Sequence, residues 1–121
     1  MPVPILKQGD TLIASVVAAL NDDDLVLLRD ELAHKIGKVR AKSVVIDVTA
    51  LDVLDSFAAR TLRGIAYTAR LRGAETVIVG IQPEVAFAMV QLGLTMEGVP
   101  TALDLEAGLS LLAQRRKLSR E

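Results

Sequence analysis

The chain has 121 residues, of which 51% are hydrophobic, and a formal net charge of −1 at pH 7. That length suits one domain with a real apolar core and leaves no room for two. The near-neutral charge argues against nucleic acid as the main partner, and the lack of cysteine excludes disulfides and thiolate metal sites and suits a reducing cytoplasm.

Ile5 to Lys7 and Thr11 to Val17 read as two short strands, with Gly9-Asp10 as the hairpin turn between them. Asn21-Asp22-Asp23-Asp24 offers helix caps, and its acids suit the positive end of a helix dipole. Leu25, Leu28, Leu32, Ile36 and Val39 then recur at helical spacing, and the helix ends near Gly37 to Arg40. Ser43 to Val48 contains the run Val44-Val45-Ile46, the pattern of a strand covered on both faces. A loop over Thr49 to Asp55 leads into a second helix from about Ser56 to Arg72. Its buried side carries Ala58, Leu62, Ile65, Ala66 and Ala69, and Gly73 is its C-terminal stop. Thr76 to Val79 is another buried strand.

Pro83 opens a third helix, which holds Val85, Phe87, Ala88, Met89 and Leu92 and stops at Gly93. Val99 to Thr101 reads as an edge strand. Thr101 with Asp104 resembles a capping box for a last helix through Leu111 and Leu112. The basic residues Arg115-Arg116-Lys117 read as a solvated tail that frays from about residue 115. The order β-β-α-β-α-β-α-β-α predicts one α/β domain over residues 1–121, a mixed sheet with helices packed against it.

The start, Met1-Pro2-Val3-Pro4, has neither a basic segment nor an apolar run, so no signal peptide is expected. No apolar stretch is long enough to span a membrane. Aromatic residues are confined to Phe57, Tyr67 and Phe87, and mean hydropathy is positive. A small domain of that kind is expected to bury surface against other subunits, its own copies included.

The segment Asp47 to Ser56 is the richest in chemistry. It follows a central strand and enters a helix, the place where open α/β sheets bind their ligands. Ser56 falls at or beside the helix N-cap, where a phosphate would meet unpaired amides and the helix dipole, facing Asp52, Asp55 and Asp47. A plain capping serine explains the same residue. A phosphoaspartate receiver built on Asp47 fails: the opening strands bring no acid for Mg²⁺, and Thr76 to Gly80 brings no lysine. Hydrolase chemistry fails as well. Ser56 has no glycine-flanked elbow, and the single histidine, His34, lies within a helix. No metal-ligand cluster or glycine-rich phosphate loop is present, since Gly80-Ile81-Gln82-Pro83 has one glycine. The chain is therefore expected to be neither an enzyme nor a cofactor binder.

The element order and the Asp47-Val48-Thr49 and Asp55-Ser56 pairs resemble the STAS domain of anti-anti-sigma factors. Leu71-Arg72-Gly73-Ala74 and Gln91-Leu92-Gly93-Leu94 extend the likeness over nearly the whole chain. Many members continue Asp-Ser-Ser-Gly. Here the run is Asp55-Ser56-Phe57-Ala58, which looks more like the RsbS type, the single-domain STAS protein of the stressosome. The resemblance implies a cytoplasmic stress-signalling assembly with RsbR-like STAS proteins. It also implies an RsbT-like serine kinase that binds this surface and phosphorylates Ser56, with Thr49 as a weaker acceptor. Asp47, Asp52, Asp55 and Phe57 form the implied partner-facing loop. A purely structural scaffold, or a nucleotide- or lipid-binding STAS module, is the alternative.

Overall fold

In a computed structural model, residues 3–16 and 20–119 are described. Val17, the last residue of the second expected strand, lies outside them. The elements follow the expected order: β1 (Ile5–Gln8), β2 (Thr11–Ser15), α1 (Asp22–Val39), β3 (Ser43–Asp47), α2 (Ser56–Leu71), β4 (Glu75–Val79), α3 (Pro83–Gln91), β5 (Thr101–Ala102) and α4 (Leu105–Ser119). The strands form one mixed sheet in the order β1-β2-β3-β4-β5. Only β1 and β2 pair antiparallel; β2 to β5 run parallel.

The register explains the hydrophobic runs. Side chains alternate across a strand, so a strand covered on both faces is apolar throughout. Val44 and Ile46 join Leu12, Ala14 and Ile78 under α1 and α2, while Val45 joins Ile13, Val77, Val79 and Leu112 on the face covered by α4. All three residues of the Val44-Val45-Ile46 run are fully buried. Gly108 lets α4 approach the sheet, because a Cβ there would stand 2.5 Å from a methyl of Val79.

Helix α1 begins with a complete capping box: Asn21 accepts from the Asp24 amide at 2.8 Å, and Asp24 accepts from the Asn21 amide. It buries Leu25, Leu28, Leu32 and Ile36 against α2, which presents Ala59, Leu62, Ile65, Ala66 and Ala69. Ala58 is half-buried, so the buried stripe of α2 starts one residue later than the spacing suggests.

Four expectations are corrected. Leu92, expected within α3, lies past its end and is exposed. The other four residues do fall in the helix, where Val85 and Met89 join the core and Phe87 is 71% exposed. The edge strand is Thr101–Ala102, not Val99 to Thr101, since Val99 is drawn into the core. Thr101 is thereby engaged in pairing with Ile78, and Asp104 caps α4 instead, accepting from the Ala107 amide at 2.8 Å. Finally, the segment expected to fray from about residue 115 is helical through Ser119. Arg116 holds it, with bonds of 2.9 and 2.7 Å to the Asp10 carboxylate and 2.7 Å to Ser43 Oγ.

Candidate functional site

The loop from β3 to α2 is built from its first residue. Asp47, the last residue of β3, accepts at one carboxylate oxygen from the Thr49 amide at 2.9 Å and from the Thr49 hydroxyl at 2.6 Å. This short-range turn is what aspartate favours at the end of a strand. Val48 is buried, and its amide reaches the Val79 carbonyl at 3.0 Å, which ties the loop's start to β4. Leu51 and Leu54 are buried as well, whereas Asp52, Val53 and Asp55 face solvent. Two leucine anchors thus hold a loop whose polar residues remain outside.

Asp55, not Ser56, is the N-cap of α2. Its backbone is extended (φ −81°, ψ 177°), and its carboxylate accepts from the Ala58 amide at 2.8 Å. Ser56 is the first helical residue and is half-buried. Its hydroxyl has no hydrogen-bond partner among the described residues. The capping explanation for Ser56 therefore falls to its neighbour. The amides of Ser56 and Phe57 belong to the first turn and have no acceptor within the helix. No acidic side chain lies in that turn of α2, so within the helix itself it is the Asp55 cap that faces the positive end of the dipole.

Phe57 is half-buried, and its carbonyl accepts from the Thr61 hydroxyl at 2.8 Å. The N-terminus of α1 lies alongside. Leu20, Asn21, Asp22 and Asp23 line one recess together with Asp55. The acids at the start of α1 thus share a recess with the N-cap of α2, whose first turn carries none.

Thr49 is placed differently from Ser56. Its hydroxyl already donates to Asp47, and its carbonyl accepts from the side-chain amide of Gln82. Gly80, at φ +81°, has no room for a side chain there, because a Cβ would sit 2.0 Å from Thr49 Oγ1. Asp47 and Thr49 therefore form the base of the loop, and Asp55 and Ser56 form its far end. Asp52 lies between them on the exposed rim. Gly80 and Gln82 were not among the residues expected to matter. A lone glycine directly after a buried strand was the available signal for Gly80.

His34 is exposed on α1. Among the described residues, no group of three or more His, Asp or Glu is placed to hold a metal ion, and no helix is long and apolar enough to cross a membrane.

Residues 3–118 match the family model of the STAS domain. The chain belongs to the STAS domain family. Among its relatives in Bacillus subtilis (strain 168), the RsbT co-antagonist protein RsbRA is 29% identical over 94 residues, 78% of this chain and 34% of that protein. The co-antagonist RsbRC is 33% identical over 60% of this chain and 26% of that protein. The chain thus spans about a third or less of the length of these two relatives. Solved structures align more completely. A serine-to-glutamate variant of Moorella thermoacetica RsbS superposes with a TM-score of 0.82 at 37% identity, covering 95% of this chain and 97% of that one. A chain from a structure of the stressosome, described as a signal integration and transduction hub, gives 0.80 at 38% identity, covering 94% and 99%. The anti-sigma factor antagonist SpoIIAA, at 11% identity and a TM-score of 0.68, shares the fold.

Proposed function

We propose that this STAS domain is a non-catalytic regulatory subunit of a cytoplasmic, stressosome-like assembly. In this reading it holds an RsbT-like serine kinase, together with RsbR-like STAS proteins and further copies of itself, and is switched by phosphorylation of Ser56. The switch governs a stress-signalling pathway of the anti-sigma antagonist kind. The observation that carries the reading is the division of labour at the start of α2: Asp55 caps the helix, and the Ser56 hydroxyl has no partner among the described residues. The likeness to RsbS and to the stressosome chain, at 37–38% identity over nearly the full length, supports the assembly part.

The chemistry belongs to the partner. The kinase supplies ATP, Mg²⁺ and the base. Ser56 Oγ forms the new bond to the γ-phosphorus, the bond from that phosphorus to the bridging oxygen breaks, ADP leaves, and the hydroxyl proton passes to the kinase. The phosphate adds roughly −1.5 to −2 charge. Beside the Asp55 carboxylate, and in a partly dry interface, that charge shifts partner affinity by about a few kcal/mol.

Incubation with a cognate serine kinase and ATP, followed by phosphosite mapping, tests the assignment. Phosphate at Ser56, lost in Ser56→Ala, is expected. Phosphate found only elsewhere, or at wild-type level in Ser56→Ala, overturns it. An assembly that forms normally and ignores the kinase would favour a structural scaffold.

A further inference from the structure

Thr49 is gripped from three elements at once. Asp47 at the end of β3 takes its amide and its hydroxyl. Gly80, just past β4, leaves the space that the Thr49 side chain fills. Gln82, at the start of α3, donates from its side-chain amide to the Thr49 carbonyl across 33 residues of sequence. Every backbone and side-chain polar group of Thr49 is thereby used.

Gln82 stands at the N-cap of α3, yet its side chain makes no capping hydrogen bond to its own helix. Ser, Thr, Asp and Asn are the residues that cap well from this position, and Pro83 at the next one removes an amide that would otherwise need a partner. The Gln82 amide is therefore released from local work. It reaches instead to the loop whose other end is Ser56. Between the two ends, Leu51 and Leu54 are buried, and the Leu51 amide bonds the Val48 carbonyl at 2.9 Å.

We propose that Gln82 is a positioning residue for phosphate transfer to Ser56, acting through Thr49. The proposal rests on Ser56 being the acceptor. Transfer requires the acceptor oxygen in line with the γ-phosphorus, and a misplacement of about 1 Å costs up to about a hundredfold in rate. Gln82 does not touch the reacting atoms; it sets where the loop begins. The same contact links α3 to the acceptor loop, so whatever binds the exposed Phe87 and Val90 face of α3 acts on a helix that grips the loop.

The test pairs two substitutions in the full chain with a cognate kinase. Gln82→Met keeps the length and loses the donor. It is expected to lower kcat for Ser56 phosphorylation about tenfold while KM stays within about twofold, because the docking surface is intact. Gln82→Arg keeps a donor and is expected to recover most of kcat. Hydrogen exchange on the unphosphorylated chain gives a readout independent of the kinase: amides of residues 50–55 exchange faster in Gln82→Met, while those of β3 and β4 do not. Wild-type kcat in Gln82→Met, a loss confined to KM, or unchanged exchange at residues 50–55 overturns the proposal. If Ser56→Ala is phosphorylated normally, the acceptor reading fails by itself, and the exchange result still decides whether the clamp exists.

Discussion

Two aspartates sit at opposite ends of the sheet and are satisfied in opposite ways. Asp47, where β3 ends, bonds Thr49 two residues away, and nearby Asp55 bonds Ala58 three residues away. Asp10, in the turn between β1 and β2, bonds Arg116 across 106 residues, and Arg116 also reaches Ser43 across 73. At the functional end both carboxylates are closed locally, and the long-range bond there, from Gln82 to the Thr49 carbonyl, is to backbone. The far end uses its carboxylate to fasten the last helix to the first hairpin. Local closure of the two carboxylates leaves the Ser56 hydroxyl with no partner among the described residues. Long-range closure adds stability where no partner is proposed to bind.

The contrast breaks first at Ser56. Ser56→Ala should remove the kinase-dependent phosphate entirely yet change unfolding free energy by less than about 0.5 kcal/mol, since the hydroxyl bonds nothing among the described residues. Mass spectrometry and urea titration measure the two quantities. A large loss of stability would show that the site is structural after all. At the base of the loop, Gly80→Ala should cost about 2–3 kcal/mol in denaturant titrations, because it combines a left-handed backbone with a collision at Thr49. In a Thr49→Ala background the cost should shrink, since the nearest colliding atom is gone, and simple additivity would refute the contact.

Asp55→Ala removes a cap and should cost about 1 kcal/mol, with α2 fraying from its first turn. Its measure is hydrogen exchange at residues 56–59. At the far end, Arg116→Ala should cost about 1 kcal/mol or less, diminishing in high salt, because the pair is partly exposed. The same latch carries a pH signature. The hydrogen bond from Arg116 holds the Asp10 carboxyl below the usual carboxylate range, more than desolvation raises it. A lowered folded-state pKa means that stability is fully present above the ordinary aspartate range and is lost as pH falls through the lowered value. Arg116→Ala should remove that acid-side loss. An unchanged acid titration would show that the latch does not form in solution.

Much of this was legible in the chain. Val44-Val45-Ile46 announced a central strand, Asn21 with Asp24 a helix start, and Pro83 the opening of α3. Other features were not. Asp55 and Ser56 are both good caps, so residue type alone left the choice open. The extended backbone at Asp55 assigns the cap to it. Thr101 and Asp104 posed a similar choice, decided when pairing with Ile78 engaged Thr101. Phe87 looks like a core residue by composition, and only the orientation of α3 shows it to be exposed.

The division follows from range. Periodicity, caps and turns act within a few residues, so the sequence alone determined the element order, the mixed sheet and the placing of Ser56 at a helix start. Contacts between distant residues depend on how the elements stack, because nothing local to Gln82 names Thr49 and nothing local to Arg116 names Asp10. Only the tertiary structure decided that Thr49 is clamped while the Ser56 hydroxyl has no partner among the described residues, and that Arg115 to Lys117 lie in a fastened helix.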